Sequence, residues 1–375
     1  SIHQRATTLA MKRKLIIIEQ KGGFDGLSLL IPRDQQSLLE KLRPRLGIKS
    51  EKQLRLDSSV EIGLHPKGSA VKELWEMGVM NIVQMVGYPK ANLSHFESED
   101  TTWGGYDGES PSLDGSWIGR FLYKRYPNYP NGFPNQKQSL PAGLSLSPTA
   151  PKNAFLGTSG NMGMQILGSP DRLYNVVQLV DQPKGSGSSV SKNRIQIERM
   201  NMIDDQADIY ALGLKRAYDA GKNRVSYGFG RMNQQLSDIA RCIDGAADIE
   251  VYIASVGGLD SHASQALKSD NTKGDFATRM EDIYSGILNF QKDLLASGHA
   301  DEVLIVTVSE FGRRAADNAG WGTDHGTAYP MFVIGTGVKA GITGANPDLL
   351  RLDENEDFAY FENDYRDVFN TILSD

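Results

Sequence analysis

The chain alternates short runs of apolar residues with longer stretches in which apolar residues recur every three or four positions. The short runs end at glycine or polar turns, which is typical of strands buried on both faces of a parallel sheet. Runs of this kind occupy residues 14–19, 81–87, 249–258 and 303–308. The alternation predicts an α/β fold with a doubly wound, mostly parallel sheet and helices on both faces.

The clearest predicted helix lies between the last two of these strands. Its apolar residues recur at helical spacing and are Phe276, Met280, Ile283, Ile287, Phe290 and Leu294. Gly298 suits a C-terminal cap, and the strand at 303–308 follows, which completes a β-α-β unit. A last helix is predicted to begin near Asp364.

Residues 101–194 have a different composition, rich in Gly, Ser, Pro and Asn, with the tract GSGSS at 185–189. Long irregular segments in compact domains are usually functional loops or linkers. We therefore predict a single domain over residues 1–375 that contains a loop-rich insertion or cap at 101–194.

Composition narrows the class of protein. The chain has 375 residues, 39% of them hydrophobic, and a net charge of −6 without a basic cluster, which argues against a nucleic-acid surface. Its apolar runs are shorter than the roughly 18 residues that span a bilayer, and no signal peptide is visible at Ser1. The single cysteine, Cys242, lies at helical spacing among apolar residues and is predicted to be buried.

Polar residues follow the predicted strands, where ligands bind in open α/β sheets. Asp25 stands in KGGFDGL directly after the first strand, either as a site residue or as a turn aspartate that bonds its own backbone. Ser94 follows the second strand and forms a possible capping box with Glu97. A serine at a helix N-terminus can equally act as a nucleophile, with neighbouring His95 as an acid or base or as a buried structural residue.

The third strand is followed by Asp260 and His262, a spacing that lets a carboxylate and an imidazole converge on one cation. Glu310 ends the fourth strand, and Arg313 and Arg314 come next. One of these arginines is predicted to clamp an oxyanion through bidentate hydrogen bonds, while the other is a solvated loop charge.

Asp324 and His325 precede a further predicted strand, MFVIG. His325 is a candidate metal ligand, and Asp324 is predicted to join the site by orienting or charging the surroundings of His325. His65 in GLHP is interpreted as structural.

Seven short sequence motifs are similar to those of a known family. In chain order they are GGFDGLSLLIP, GLHP, SHFESED, GLDSHASQ, SEFGRR, TDHG and DYRDVF. Together they resemble the bacterial family known as DUF1501, a relative of the alkaline phosphatase and sulfatase superfamily. Members of that superfamily place two metals at the carboxyl edge of a parallel sheet, beside a Ser, Thr or modified Cys nucleophile.

The resemblance implies two metal positions, one formed by Asp25, Ser94 and Glu310 and the other by Asp260, His262 and His325. Glu310-Phe311 stands where many relatives have Asp-His, so one imidazole is missing from the pattern. The C-x-P-S-R signature of formylglycine sulfatases is absent, which argues against that class.

We therefore expect a metal-dependent hydrolase of phosphate or sulfate esters, acting on a small-molecule or carbohydrate ester. Its expected catalytic residues are Ser94, His95 and Arg313, and its divalent metal is expected to be Zn or Mn, with Ca or Mg possible. The alternatives are a non-catalytic binding or scaffold protein on a degenerate fold, and a metal-dependent mutase or phosphonate hydrolase. Family members commonly carry a twin-arginine export signal, so a periplasmic or exported location is expected, although this chain starts at Ser1 without one.

Overall fold

The computed structural model describes residues 13–109, 115–129, 131–151, 153–157, 160–166, 168–172 and 207–374. Within these residues the helices are α1 (Gly26–Leu29), α2 (Gln36–Leu42), α3 (Ser69–Glu76), α4 (His95–Gly104), α5 (Trp117–Arg125), α6 (Ala207–Ala220), α7 (Arg231–Asp244), α8 (Asp275–Ser297) and α9 (Tyr365–Ser374). The strands are β1 (Lys14–Gln20), β2 (Leu30–Pro32), β3 (Leu54–Arg55), β4 (Ile62–Leu64), β5 (Met80–Gly87), β6 (Gly143–Ser145), β7 (Leu156–Gly157), β8 (Gly160–Asn161), β9 (Gly163–Gln165), β10 (Val251–Val256), β11 (Val303–Val308), β12 (Gly312–Arg313), β13 (His325–Gly326), β14 (Tyr329–Ile334), β15 (Gly341–Thr343) and β16 (Asn363–Asp364).

The main sheet has the strand order β15-β5-β14-β11-β1-β10-β6-β9, with β16 also paired to β5. The pairs β11-β1, β1-β10, β10-β6 and β6-β9 are parallel, whereas β14 is antiparallel to both β11 and β5. Because β14 is antiparallel to both of its neighbours, β5 and β11 run in the same direction, and β5 is therefore parallel to β1. The predicted α/β class with a mostly parallel sheet is confirmed.

Helices cover both faces of this sheet. All seven residues of β1 are buried, and successive side chains of a strand point to opposite faces. Glu19 accepts a hydrogen bond from Trp103 of α4 (3.2 Å), and the next residue, Gln20, accepts one from Tyr284 of α8 (2.8 Å). Because the two partners lie on opposite faces, the predicted double coverage is confirmed.

Helix α8, which has the strongest periodic pattern in the sequence, agrees best with the structure. Helix α8 spans Asp275–Ser297 and ends at Gly298, whose left-handed φ of 81° lets its N–H reach the last helical carbonyls. Cys242 is buried in α7, as predicted. No helix in the described parts of the chain has the length and apolarity needed to cross a membrane.

The predicted loop-rich insertion at 101–194 contains regular elements that the sequence did not indicate. Strands β6 and β9 lie in this region and form one edge of the main sheet, and α5 also lies there. Each of these strands has only three residues, too few to give a detectable period. Residues 173–194, with the tract GSGSS, lie outside the described residues.

The carboxyl ends of β1, β5, β10 and β11 meet at one edge of the sheet because these strands run in the same direction. The short antiparallel pair β12-β13 joins this edge and aligns Arg313 with His325. Phe24 also pairs with Gly312, which links the loop after β1 to the loop after β11. The segments that carry candidate chemistry are therefore brought together.

Candidate metal centre

Three imidazole rings surround the carboxylate of Asp260 at this edge. His262 Nε2 lies 3.0 Å and His325 Nε2 lies 3.2 Å from Asp260 Oδ1, while His95 Nε2 lies 3.2 Å from Oδ2. The Nε2 atoms of His262 and His325 are themselves only 3.0 Å apart. The structure thus brings together residues that lie far apart in the sequence.

The other ring nitrogen of each histidine, Nδ1, faces an oxygen that acts as acceptor. These oxygens are Glu310 Oε1 for His95 (2.8 Å), Asp324 Oδ1 for His262 (3.2 Å) and the Leu93 carbonyl for His325 (2.8 Å). Both ring nitrogens of each histidine face an acceptor oxygen, so these contacts alone do not fix the tautomer. A cation bound at Nε2 would select the tautomer with the proton on Nδ1, because metal binding needs the Nε2 lone pair.

This donor set fits a divalent cation. Nε2 of His95 is buried and has no hydrogen-bond partner, although Asp260 Oδ2 is 3.2 Å away. Ring nitrogens and carboxylate oxygens this close to one another need either a proton or a metal cation between them. Tetrahedral Zn²⁺ with bonds of 2.0–2.1 Å places its ligand atoms about 3.3 Å apart, close to the separations observed here. One ligand atom each from His95, Asp260 and His325 lies within 4.8 Å of the others.

The ionisation of these groups also suits a ligand set. Burial raises the pKa of Asp260, but hydrogen bonds from Arg313 and His325 outweigh it and lower the pKa to about 2. Burial lowers the pKa of His325, which favours the neutral ring that binds metal. The hydrogen bond to Glu310 raises the pKa of His95, so a proton competes with a cation for its Nε2.

Ser94 precedes α4 at the N-cap position, between two residues that contact His325. The Leu93 carbonyl accepts from His325, and the ring of His95 lies 4.4 Å from that of His325. The Ser94 side chain makes no capping hydrogen bond, so the capping-box alternative is wrong for this helix. Leu93 has a left-handed φ of 60°, an uncommon value for a bulky residue, in the turn that presents Ser94.

Asp25 lies in a different environment from the one predicted. Its carboxylate accepts from Arg43 Nη1 (2.7 Å) and Nη2 (2.8 Å), from Ser28 (2.6 Å) and from Gln265 (2.5 Å). Burial raises the pKa of Asp25, but the charge of Arg43 outweighs it and the pKa is lowered. Both oxygens are therefore used by a buried ion pair, and a metal at Asp25 would have to displace a guanidinium.

Glu310 also differs from its predicted role. The resemblance groups it with Asp25 and Ser94, but its carboxylate accepts from His95 and from the Gly22 amide (2.9 Å) instead. Such a carboxylate behind a ligand histidine fixes the tautomer of the ring and increases its basicity. Glu310 therefore orients the ring of His95, whose Nε2 faces Asp260, and His95 becomes a candidate ligand in addition to a candidate acid or base.

Arg313 is not available as an oxyanion clamp. Its buried guanidinium donates to the carbonyls of Gly22, Gly23 and Thr323 and to Asp260 Oδ1 (3.0 Å). It holds the loop after β1 to the loop after β10 and fixes Asp260. This corrects the predicted catalytic role, because its donors are committed to the protein.

Asp324 contacts a different histidine from the one predicted. Its Oδ1 faces Nδ1 of His262, on the side of the ring opposite Nε2, and also accepts from Asn318 (3.3 Å). The Arg314 guanidinium lies 3.7 Å away. Asp324 therefore contacts His262 rather than the predicted His325, which is oriented by the Leu93 carbonyl.

Phe311 occupies the place where the resemblance expects a further histidine. It is 1% exposed, and its ring centre lies 4.9 Å from that of His95 and 4.4 Å from that of His325. The apolar ring packs against two ligand imidazoles and offers no donor atom. With Asp25 paired to Arg43, the first of the two implied metal positions is not assembled.

The model of a family described as "Protein of unknown function (DUF1501)" matches residues 221–373, which confirms the resemblance over that part of the chain. The motifs GLDSHASQ, SEFGRR, TDHG and DYRDVF lie within the match, and the three earlier motifs lie outside it. No curated protein matches the sequence.

Several solved structures are similar in fold. Ps i-CgsB, solved in complex with k-i-k-neocarrahexaose, is 13% identical over 97% of this chain and 71% of its own, with a TM-score of 0.44. A protein of the alkaline phosphatase superfamily from Vibrio parahaemolyticus is 12% identical over 97% and 66%, with a TM-score of 0.40. The PsFucS1 sulfatase from Pseudoalteromonas sp. is 10% identical over 97% and 67%, with a TM-score of 0.39. The TM-scores are all below 0.5, so the α/β class rests on the sheet topology described above.

Proposed function

We propose that this protein, whose residues 221–373 match the DUF1501 family, is a metal-dependent hydrolase of phosphate or sulfate esters with Ser94 as its nucleophile. The main support is the convergence of three Nε2 atoms on the Asp260 carboxylate, next to a serine that does not cap its helix. A site of this composition beside a serine at a helix N-terminus suits the attack of a hydroxyl on an anionic ester.

The ligand set favours one transition-metal ion. His95, His262, His325 and Asp260 offer three nitrogens and an oxygen, which suits Zn²⁺ or Mn²⁺ better than Ca²⁺ or Mg²⁺. A divalent cation in this position would polarise the ester and lower the pKa of a bound hydroxyl. We propose a single metal because Asp25 is neutralised by Arg43 and Phe311 supplies no ligand.

The residues of the chain have separate tasks in this proposal. Ser94 Oγ forms a bond to phosphorus or sulfur as the ester bond to the alcohol breaks, and the alcohol leaves with a proton. Water then attacks the serine ester, which releases phosphate or sulfate and restores the hydroxyl. The free amides at the start of α4 stabilise the anionic group during both steps. Arg313 and Glu310 hold Asp260 and His95 in place throughout.

The test combines metal analysis with a substrate panel. Protein purified without chelator should contain about one metal ion per chain and should hydrolyse an aryl phosphate or an aryl sulfate. Ser94→Ala should keep the metal and lose at least about 100-fold in kcat, because removing a nucleophile blocks the covalent step. Equal turnover by wild type and Ser94→Ala would refute the proposed nucleophile.

A second candidate is a binding or scaffold protein on this fold. The observation that favours it is the incomplete second metal position, where Arg43 and Phe311 take the places of a metal and a ligand. That function predicts metal binding without turnover of any ester in the panel.

Location in the periplasm or outside the cell stays a prediction and would be tested by fractionating cells that express the natural protein.

A further inference from the structure

Arg279 lies beside the metal centre in the second turn of α8. Its guanidinium packs on the backbone of Gly258, since a Cβ added to that glycine would lie 2.4 Å from Arg279 Cζ. Gly258 follows β10 with a left-handed φ of 86°, two residues before Asp260. Two residues span at most about 7 Å between Cα atoms, so the guanidinium packs against the same short loop that carries Asp260.

The other basic residues described at this edge are paired with carboxylates. These pairs are Lys21 with Glu99 (3.0 Å), Arg43 with Asp25 (2.7 Å), Arg313 with Asp260 (3.0 Å) and Arg314 with Asp324 (3.7 Å). Among the described residues, no carboxylate oxygen lies within 4.0 Å of Arg279, and its buried Nε has no hydrogen-bond partner. Arg279 therefore stands out as a guanidinium with unused donors.

Asp275, four residues earlier in the helix, forms no ion pair with Arg279 among the described residues, and the two acids that follow Arg279 have other partners. Asp282, three residues further along, accepts from the amides of Met232 (3.0 Å) and Asn233 (3.2 Å) and so caps the start of α7. Glu281 lies 3.9 Å from Lys67. A half-buried guanidinium with an orphaned Nε is unfavourable unless a ligand completes its hydrogen bonds.

We propose that Arg279 binds a second anionic group on the organic part of the substrate, separate from the ester group that reaches Ser94. This inference rests on the proposed function and narrows its substrate class to esters whose alcohol carries a carboxylate, sulfate or phosphate. The fork of guanidinium donors recognises such planar or tetrahedral oxyanions. Gly258 is required because any side chain there would displace the guanidinium from its position.

The test uses two esters that differ in one charge, 4-carboxyphenyl phosphate and 4-carbamoylphenyl phosphate, with the matched sulfates measured in the same way. Binding is measured by calorimetry and turnover by release of the phenol, in wild type, Arg279→Gln and Arg279→Lys. Lys292→Gln is the control, because it makes the same charge change in α8 about 20 Å along the helix. Melting temperatures confirm that each variant is folded.

Arg279→Gln should weaken binding of the carboxylate ester by about 10- to 100-fold, from the worth of a charged hydrogen bond, and should change the carbamoyl ester less than about threefold. Arg279→Lys should recover part of the preference, and Lys292→Gln should leave it unchanged. Equal losses for both esters in Arg279→Gln, or no loss for either, would overturn the proposal. If wild type binds the esters but hydrolyses none, the proposed function fails, and the difference in binding still decides the role of Arg279.

Discussion

The buried ion pair between Asp25 and Arg43 allows a sharp test of how this site is built. Arg43 is 1% and Asp25 is 2% exposed, and the guanidinium also donates to the carbonyls of Ala315 and Arg314, both at 2.8 Å. The pair therefore joins α2 and the loop after β1 to the loop after β12. We expect its role to be structural, although Asp25 corresponds to a predicted metal ligand.

The two single losses should add up to more than the loss of the double variant, because each single variant leaves one buried charge unpaired. Arg43→Met leaves the buried Asp25 carboxylate unpaired, and such changes destabilise proteins by about 3–5 kcal/mol. Asp25→Asn leaves the guanidinium unpaired and should cost a similar amount. The double variant Asp25→Asn/Arg43→Met removes both charges, so its loss should be smaller than the sum of the single losses by about 1–3 kcal/mol.

The assay is urea unfolding of the four proteins, followed by fluorescence, together with metal content after dialysis at pH 7.5. Asp25→Asn should lose stability while retaining the wild-type metal content. Arg55→Gln is a matched control, because Arg55 and Glu61 are 44% and 59% exposed in their pair and its loss should cost less than about 1 kcal/mol. A folded Asp25→Asn that loses its metal, with near-normal stability, would refute the structural assignment.

Three further predictions test other parts of the structure. Burial and the charge of Lys67 lower the pKa of His65 from 6.5 to about 4, so its neutral form should stabilise the fold by up to about 3 kcal/mol above pH 6.5. That stability should be lost as the pH falls from 6.5 to 4. In His65→Asn the free energy of unfolding in urea should depend less on pH over this range, and an unchanged pH dependence would contradict the prediction. Glu310→Gln should weaken metal affinity by about 10- to 100-fold in competition with a chelator, because it removes the carboxylate behind His95, and unchanged affinity would exclude that role. Ser94→Ala should change the free energy of unfolding by less than about 0.5 kcal/mol, whereas a loss near 1 kcal/mol would indicate that its side chain caps α4.

The sequence predicts the elements with strong periodic patterns and the segments that follow them. Buried runs such as β1 and β11 and the amphipathic helix α8 agree with the structure because burial on both faces, or on one helical stripe, leaves a direct pattern. Parallel strands then place Asp260 and Ser94 at the same edge of the sheet, so this shared location could be predicted from the direction of the strands.

The details that depend on side-chain pairing could not be predicted. The stretch LRPRLG gives no sign of a partner for Arg43, and only the folded chain places its guanidinium on Asp25. The same holds for the pairing of His95 with Glu310, whose positions differ by 215 residues. The apolar run of β14 predicts a strand, but it does not predict that this strand lies between β11 and β5 and runs antiparallel to both.

The position of a bound metal tests the central claim most directly. Crystals of the protein loaded with Zn²⁺, measured at the zinc absorption edge, should show one anomalous peak at the four-residue site. We expect it within about 2.0–2.2 Å of Asp260 and of the Nε2 atoms of His95, His262 and His325. A peak among Asp25, Ser94 and Glu310, or no peak near the three histidines, would contradict the account.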